Sequence, residues 1–208
     1  VWTSSKILPE QTFNTTNSQE FEKALDAKLR RLSGTNLSEL YPGYAYLIKE
    51  NEPVNSIKLA SKLGEIEHEL MVISRIPSKR ISEDYDIPRR MCYWLTEKKI
   101  IDENIIGPQL EFLYSEIKQF FEKYNRSVVL LDGFEFLYAI HGRDRTLDFL
   151  RRLVDISTTS DDIALIPVNL DVFDSRTQAL IIRELDELNS EDLADWLISP
   201  EELEGHLF

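Results

Sequence analysis

The sequence predicts an α/β protein: a three-layer, mostly parallel, five-stranded sheet with helices on both faces and a helical appendage at each end. Three observations carry that expectation. From Gly43 onward, short apolar runs alternate with longer stretches of helical periodicity, the pattern of a parallel sheet covered by helices. The chain has 208 residues, 42% hydrophobic and 29% charged, which suits one core with an appendage or two. No run approaches the roughly 18 to 20 apolar residues of a bilayer span. Cys92 is the one cysteine, which excludes a disulfide framework and an all-cysteine metal site and fits a reducing cytoplasm.

Taken in order, residues 1–17 are polar and rich in Ser, Thr and Asn, a loosely docked lead-in without the pattern of a secretory leader. Asn17 and Glu20 form a capping box, and Phe21, Leu25, Leu29 and Leu32 then recur at helical spacing until Gly34. Tyr41-Pro42-Gly43 breaks the chain, which sets units at 1–42, 43–188 and 189–208. Strands are expected at 44–49, 69–74, 91–95, 127–132 and 163–168. Helices are expected at 56–63, 108–124, 144–156 and 174–188, the second marked by Leu110, Leu113, Ile117, Phe120, Phe121 and Tyr124 on one face. Two short acidic helices should close the chain: Ser190 starts one with Leu193, Trp196 and Leu197 on its apolar side, and Ser199-Pro200 starts another with Leu203, Leu207 and Phe208.

The formal charge of -13 is concentrated at the end, since residues 184–208 hold nine acids and no Lys or Arg. A chain this negative, without a clear basic stripe, is repelled by phosphate backbones and anionic membranes, so no nucleic-acid partner is expected.

Ligands of open parallel sheets bind at the carboxyl ends of strands. The first strand, followed by a turn and a helix near Ser56, has the placement of a phosphate-binding loop. The fourth, Val128-Val129-Leu130-Leu131-Asp132-Gly133, has the form of four apolar residues and a metal-holding aspartate. Here the chain resembles the RecA-like and KaiC-like P-loop ATPases. Against G-x-x-x-x-G-K-[ST], however, Glu50 and Asn55 stand at the glycines, Ser56 at the lysine and Ile57 at the Ser/Thr, while Pro53 removes an amide donor. The water-orienting glutamates of the KaiC-like class would fall where Ile76 and Pro77 stand. A like-charge contact beside a triphosphate costs about 1 to 4 kcal/mol. The loop is therefore a degenerate P-loop, with no nucleotide, metal or other cofactor expected, and Asp132 is read as a turn carboxylate accepting backbone hydrogen bonds.

The order of motifs from about 43 to 188 is similar to an archaeal family, domain of unknown function 835. The likeness rests on Gly43 to Ile48, Ile73-Ser74-Arg75 with Pro77, Tyr93-Trp94-Leu95, the Asp132 strand with Phe136-Leu137, Phe149-Leu150, Ile166-Pro167-Val168 and Leu170-Asp171. The resemblance implies a regulatory or docking role without established enzymatic activity; it covers neither the N-terminal helix nor the acidic tail.

Remaining candidates are few. His68, His141 and His206 lack metal-ligand spacing, and Cys92 lies within an apolar strand as a buried, inert thiol. Arg75 would emerge beside Asp132 and pair with it. The alternative is a remnant ligand pocket of Arg75, Asp132 and His141. The apolar stripes of Phe21, Leu25 and Leu29, and of Leu193, Trp196 and Phe208, either fold back or meet a homodimer mate or another protein. Two functions are weighed: a non-catalytic interaction or signalling module on a degenerate nucleotide-binding fold, and a small-ligand or nucleotide sensor or weak hydrolase using the remnant pocket.

Overall fold

The computed structural model of the chain describes residues 40–66 and 68–198. Among them β1 (Ala45–Lys49), β2 (Glu69–Ser74), β3 (Cys92–Leu95), β4 (Ile105–Ile106), β5 (Ser127–Leu131), β6 (Ile163–Val168) and β7 (Asp186–Glu187) form one sheet of order β4-β3-β2-β5-β6-β1-β7. Every pairing in it is parallel. Alternate residues of each central strand enter different cores. Ala45, Leu47, Met71, Ile73, Val129 and Leu131 face one side; Tyr46, Ile48, Leu70, Val72, Val128 and Leu130 face the other. Because both faces are buried, these strands read as unbroken apolar runs.

The first layer holds α1 (Val54–Glu65), which contributes Ile57, Leu59, Ala60 and Leu63, and α2 (Ser78–Tyr85), which contributes Ile81. The opposite layer holds α3 (Leu110–Lys123), α4 (Phe134–His141), α5 (Arg143–Ser160) and α6 (Ser175–Glu184). In α3 the residues Leu110, Leu113, Ile117 and Phe121 are buried, the spacing the sequence shows. Among the described residues no helix is long and apolar enough to cross a membrane.

The expected five strands all form, but the sheet has seven. The additional β4 and β7 are two residues each, too short for periodicity to register. β7 consists of two acids that pair only because β1 offers its edge, Tyr46 opposite Asp186 and Leu47 opposite Glu187. It takes up the end of the helix expected at 174–188, which stops at Glu184. Two helices were also unforeseen. α2 carries Ile81 as its one aliphatic residue, and α4 is a short apolar segment of the kind that periodicity does not resolve.

In the last described helix, α7 (Ser190–Ile198), the apolar stripe takes the first of its two expected courses and folds back. Leu193 and Trp196 are 4% and 2% exposed, packed into the core that α1 occupies. Phe21, Leu25, Leu29 and Phe208 lie outside the described residues.

Trp196→Ala is expected to lower the unfolding free energy in urea by about 3 to 5 kcal/mol, the usual cost of truncating a buried aromatic. Ile101→Asp, at a residue 97% exposed, should leave it within about 0.5 kcal/mol.

Candidate functional site

Strand order creates two places where adjacent strands send the chain to opposite faces. β1 leads to α1 in the first layer while its neighbour β6 leads to α6 in the second; β2 leads to α2 while its neighbour β5 leads to α4. Such reversals open crevices beyond the carboxyl ends of the strands. The expected site residues Glu50 and Asp132 stand at these two places.

At the first, α1 begins after Pro53, whose side chain supplies no cap. The free amides of the opening turn are bonded by Glu50 instead. The Asn55 amide donates to its Oε2 at 3.1 Å and the Ser56 amide to its Oε1 at 3.1 Å, with the Ser56 hydroxyl also bonded to Oε1. A capping oxygen stabilises a helix by about 1 kcal/mol, and a carboxylate at the positive end of the dipole adds about 0.3 to 1 kcal/mol. Burial holds the Glu50 carboxyl above its ordinary value; Ser56 and Asn55 oppose this, and the charge of Asp132 reinforces it. Ile57, the residue aligned with the loop hydroxyl, is wholly buried in the core.

α2 repeats the device. It starts after Pro77, again without a side-chain cap, and Glu103 of the loop between β3 and β4 bonds the Ser78 hydroxyl and accepts from the Lys79 amide at 3.3 Å.

At the second crevice Asp132 Oδ2 accepts from the Ser74 hydroxyl at 2.6 Å and from the Arg75 amide at 3.0 Å. The expected ion pair is replaced by this backbone contact. The Arg75 guanidinium bonds the Leu95 carbonyl and lies 3.7 Å from the centre of the Phe136 ring. Its stem crosses Gly133, where a Cβ would lie 2.8 Å from Arg75 Cγ and the backbone has φ +103°. Burial raises the Asp132 pKa, while Ser74, the Arg75 amide and the Arg75 charge pull it down. Glu135, in the first turn of α4, accepts from the Asn169 amide at 2.6 Å and is likewise raised by burial.

His141 is not brought to this site. It ends α4, about 10 Å along the helix axis from Phe134, with Nε2 bonded to the Pro108 carbonyl at 2.7 Å. Arg75 and Asp132 therefore meet, and the third member of the expected pocket does not. Cys92 is buried, and burial pushes its thiol up to about 12, so it is protonated at neutral pH.

Residues 48–185 match the family described as a protein of unknown function, DUF835. The chain belongs to that family. No curated protein and no solved structure matches it. The matched stretch of this DUF835 chain contains both crevices, from Glu50 to Asn169. Sequence reasoning did not find Ser74, Glu103 and Glu135, which reach their partners from 58, 25 and 34 residues away. No local spacing marks such contacts.

The raised Asp132 pKa has a defined sign in linkage. A native carboxyl that binds its proton more readily than the unfolded one gains stability on acidification. Wild type minus Asp132→Asn unfolding free energy should therefore increase as pH falls from neutral through the raised pKa toward ordinary carboxylate values near ~4. Urea titrations at several pH values check it, and His68, whose pKa is lowered by burial, acts equally in both proteins.

Proposed function

We propose that this DUF835 chain is a non-catalytic protein-interaction or signalling module built on a degenerate nucleotide-binding fold. The observation that supports this reading is the Glu50 carboxylate on the opening amides of α1. In a phosphate-binding sheet those amides and the helix dipole receive an anionic ligand. Here an anion belonging to the chain already holds them. A phosphate would have to displace it with Pro53 lacking a donor, with no lysine at Ser56, and with Asp132 close enough to raise the Glu50 pKa. Each uncompensated like-charge contact costs about 1 to 4 kcal/mol.

A module of this kind works through its surface, whether toward a second copy or a different protein. The resemblance that implies a docking role also implies an archaeal setting, to which the lone cysteine adds a cytoplasmic one. The sensor reading loses support from the geometry, because Asp132 spends Oδ2 on Ser74 and Arg75, and His141 on Pro108.

Titration of the purified chain with Mg-ATP at neutral pH should produce no binding heat; a micromolar dissociation constant would overturn the reading. Glu50→Ala should lower the unfolding free energy by about 1 to 2 kcal/mol through loss of the cap, and still bind no ATP, because the cation is missing too.

A further inference from the structure

A cleft of about 240 Å³ lies at the other end of the sheet, between the amino ends of β2 and β3 and the C-terminal half of α3. By the ~30 Å³ that one water takes in the liquid, it has room for a ligand displacing about eight waters. Met71 and Tyr93 line it from the strands, Met91 from the turn before β3, and Phe120 and Tyr124 from the end of α3. Thioethers and ring edges of this kind adapt to apolar and aromatic ligands.

The charges of the lining are specific. Arg90 and Lys123 both belong to it, in a chain whose formal charge is -13. The neighbouring Arg89 is engaged by Asp102 and by a backbone carbonyl, whereas Arg90 has no hydrogen bond or ion pair among the described residues. The Lys123 ammonium rests 4.7 Å from the centre of the Tyr124 ring. Glu69 and Glu116 also line the cleft, so two cations are balanced by two carboxylates. That balance accommodates one added negative charge at the guanidinium and disfavours several. A multiply charged phosphate would meet both acids, Glu69 and Glu116.

We propose that this cleft is a binding site for a small apolar or aromatic monocarboxylate, its carboxylate on Arg90 and Lys123 and its hydrocarbon body against Met71, Met91, Tyr93 and Phe120. The site is separate from the carboxyl-end crevices, and its occupancy does not depend on the function proposed for them.

The probe is 3-phenylpropionate, added to the ¹⁵N-labelled chain and followed by amide shifts. Saturable shifts are expected at Met71, Met91, Tyr93 and Phe120, with none at Ser56 or Asp132. Arg90→Ala and Phe120→Ala should each weaken binding by about tenfold or more, the equivalent of one charge-assisted hydrogen bond or one buried ring, with the far-ultraviolet spectrum unchanged. The neutral amide of the probe should bind about tenfold more weakly. Absence of saturable shifts at millimolar probe overturns the proposal, as does binding equally strong for the amide or the Arg90→Ala protein. Arg90 is exposed and without a partner among the described residues, so its variant keeps the test valid if Phe120→Ala unfolds.

Discussion

Backbone amides at the start of a helix have no intrahelical partner, and in this fold two such helices begin at the carboxyl edge of the sheet, in the same layer. Both α1 and α2 open on a proline, Pro53 and Pro77, that gives no side-chain cap. The chain meets the demand with acids from elsewhere, Glu50 and Glu103. Either carboxylate could have been matched by a ligand phosphate in a protein with glycines in these loops. Supplying the anion internally makes the layer complete when empty, and removes the unsatisfied donors from which phosphate affinity would derive.

The seam between β2 and β5 obeys the same logic. Asp132 continues the β5 ladder, its amide donating to Ile73 at 2.8 Å, and its carboxylate turns back on the next residues of β2. Ser74 both donates to that carboxylate and accepts from the Ile76 amide at 3.0 Å, so one hydroxyl ties the strand end to the turn beyond it. Gly133 is required here for two independent reasons, its left-handed φ and the Arg75 stem pressed across it. The arrangement desolvates a carboxylate without a bonded cation, and the raised pKa of Asp132 is the cost of that.

What the sequence made legible was whatever repeats over several residues. The apolar runs of the central strands became strands because both their faces are buried, and the 3.6-residue rhythm of Leu110, Leu113, Ile117 and Phe121 became α3. The loss of the glycines and the lysine was equally visible, because a motif is judged by the identity of single residues. Direction was not. Arg75 and Asp132 were placed at one edge correctly, yet Arg75 turns to Leu95 and Phe136 because the close approach of Gly133 leaves its stem that path. His141 ends a helix that no pattern announced, so it is displaced from the strand end by the length of α4. β4 and β7 depend on the presence of a neighbouring strand rather than on their own residues.

Charge and packing compete openly in α7. Its segment carries acids without a Lys or Arg, a composition suggesting an arm held away from a negative body. Leu193 and Trp196 nevertheless enter the core beside α1, and burying two such side chains is worth roughly 1.5 to 3 kcal/mol each. Exposed charges, by contrast, interact across water with energies screened over about 8 to 10 Å in ordinary salt. The exposed Glu191 and Asp195 on this helix therefore repel the rest of the molecule only weakly. Packing wins by several-fold, and the acids become part of the outer face of the first layer.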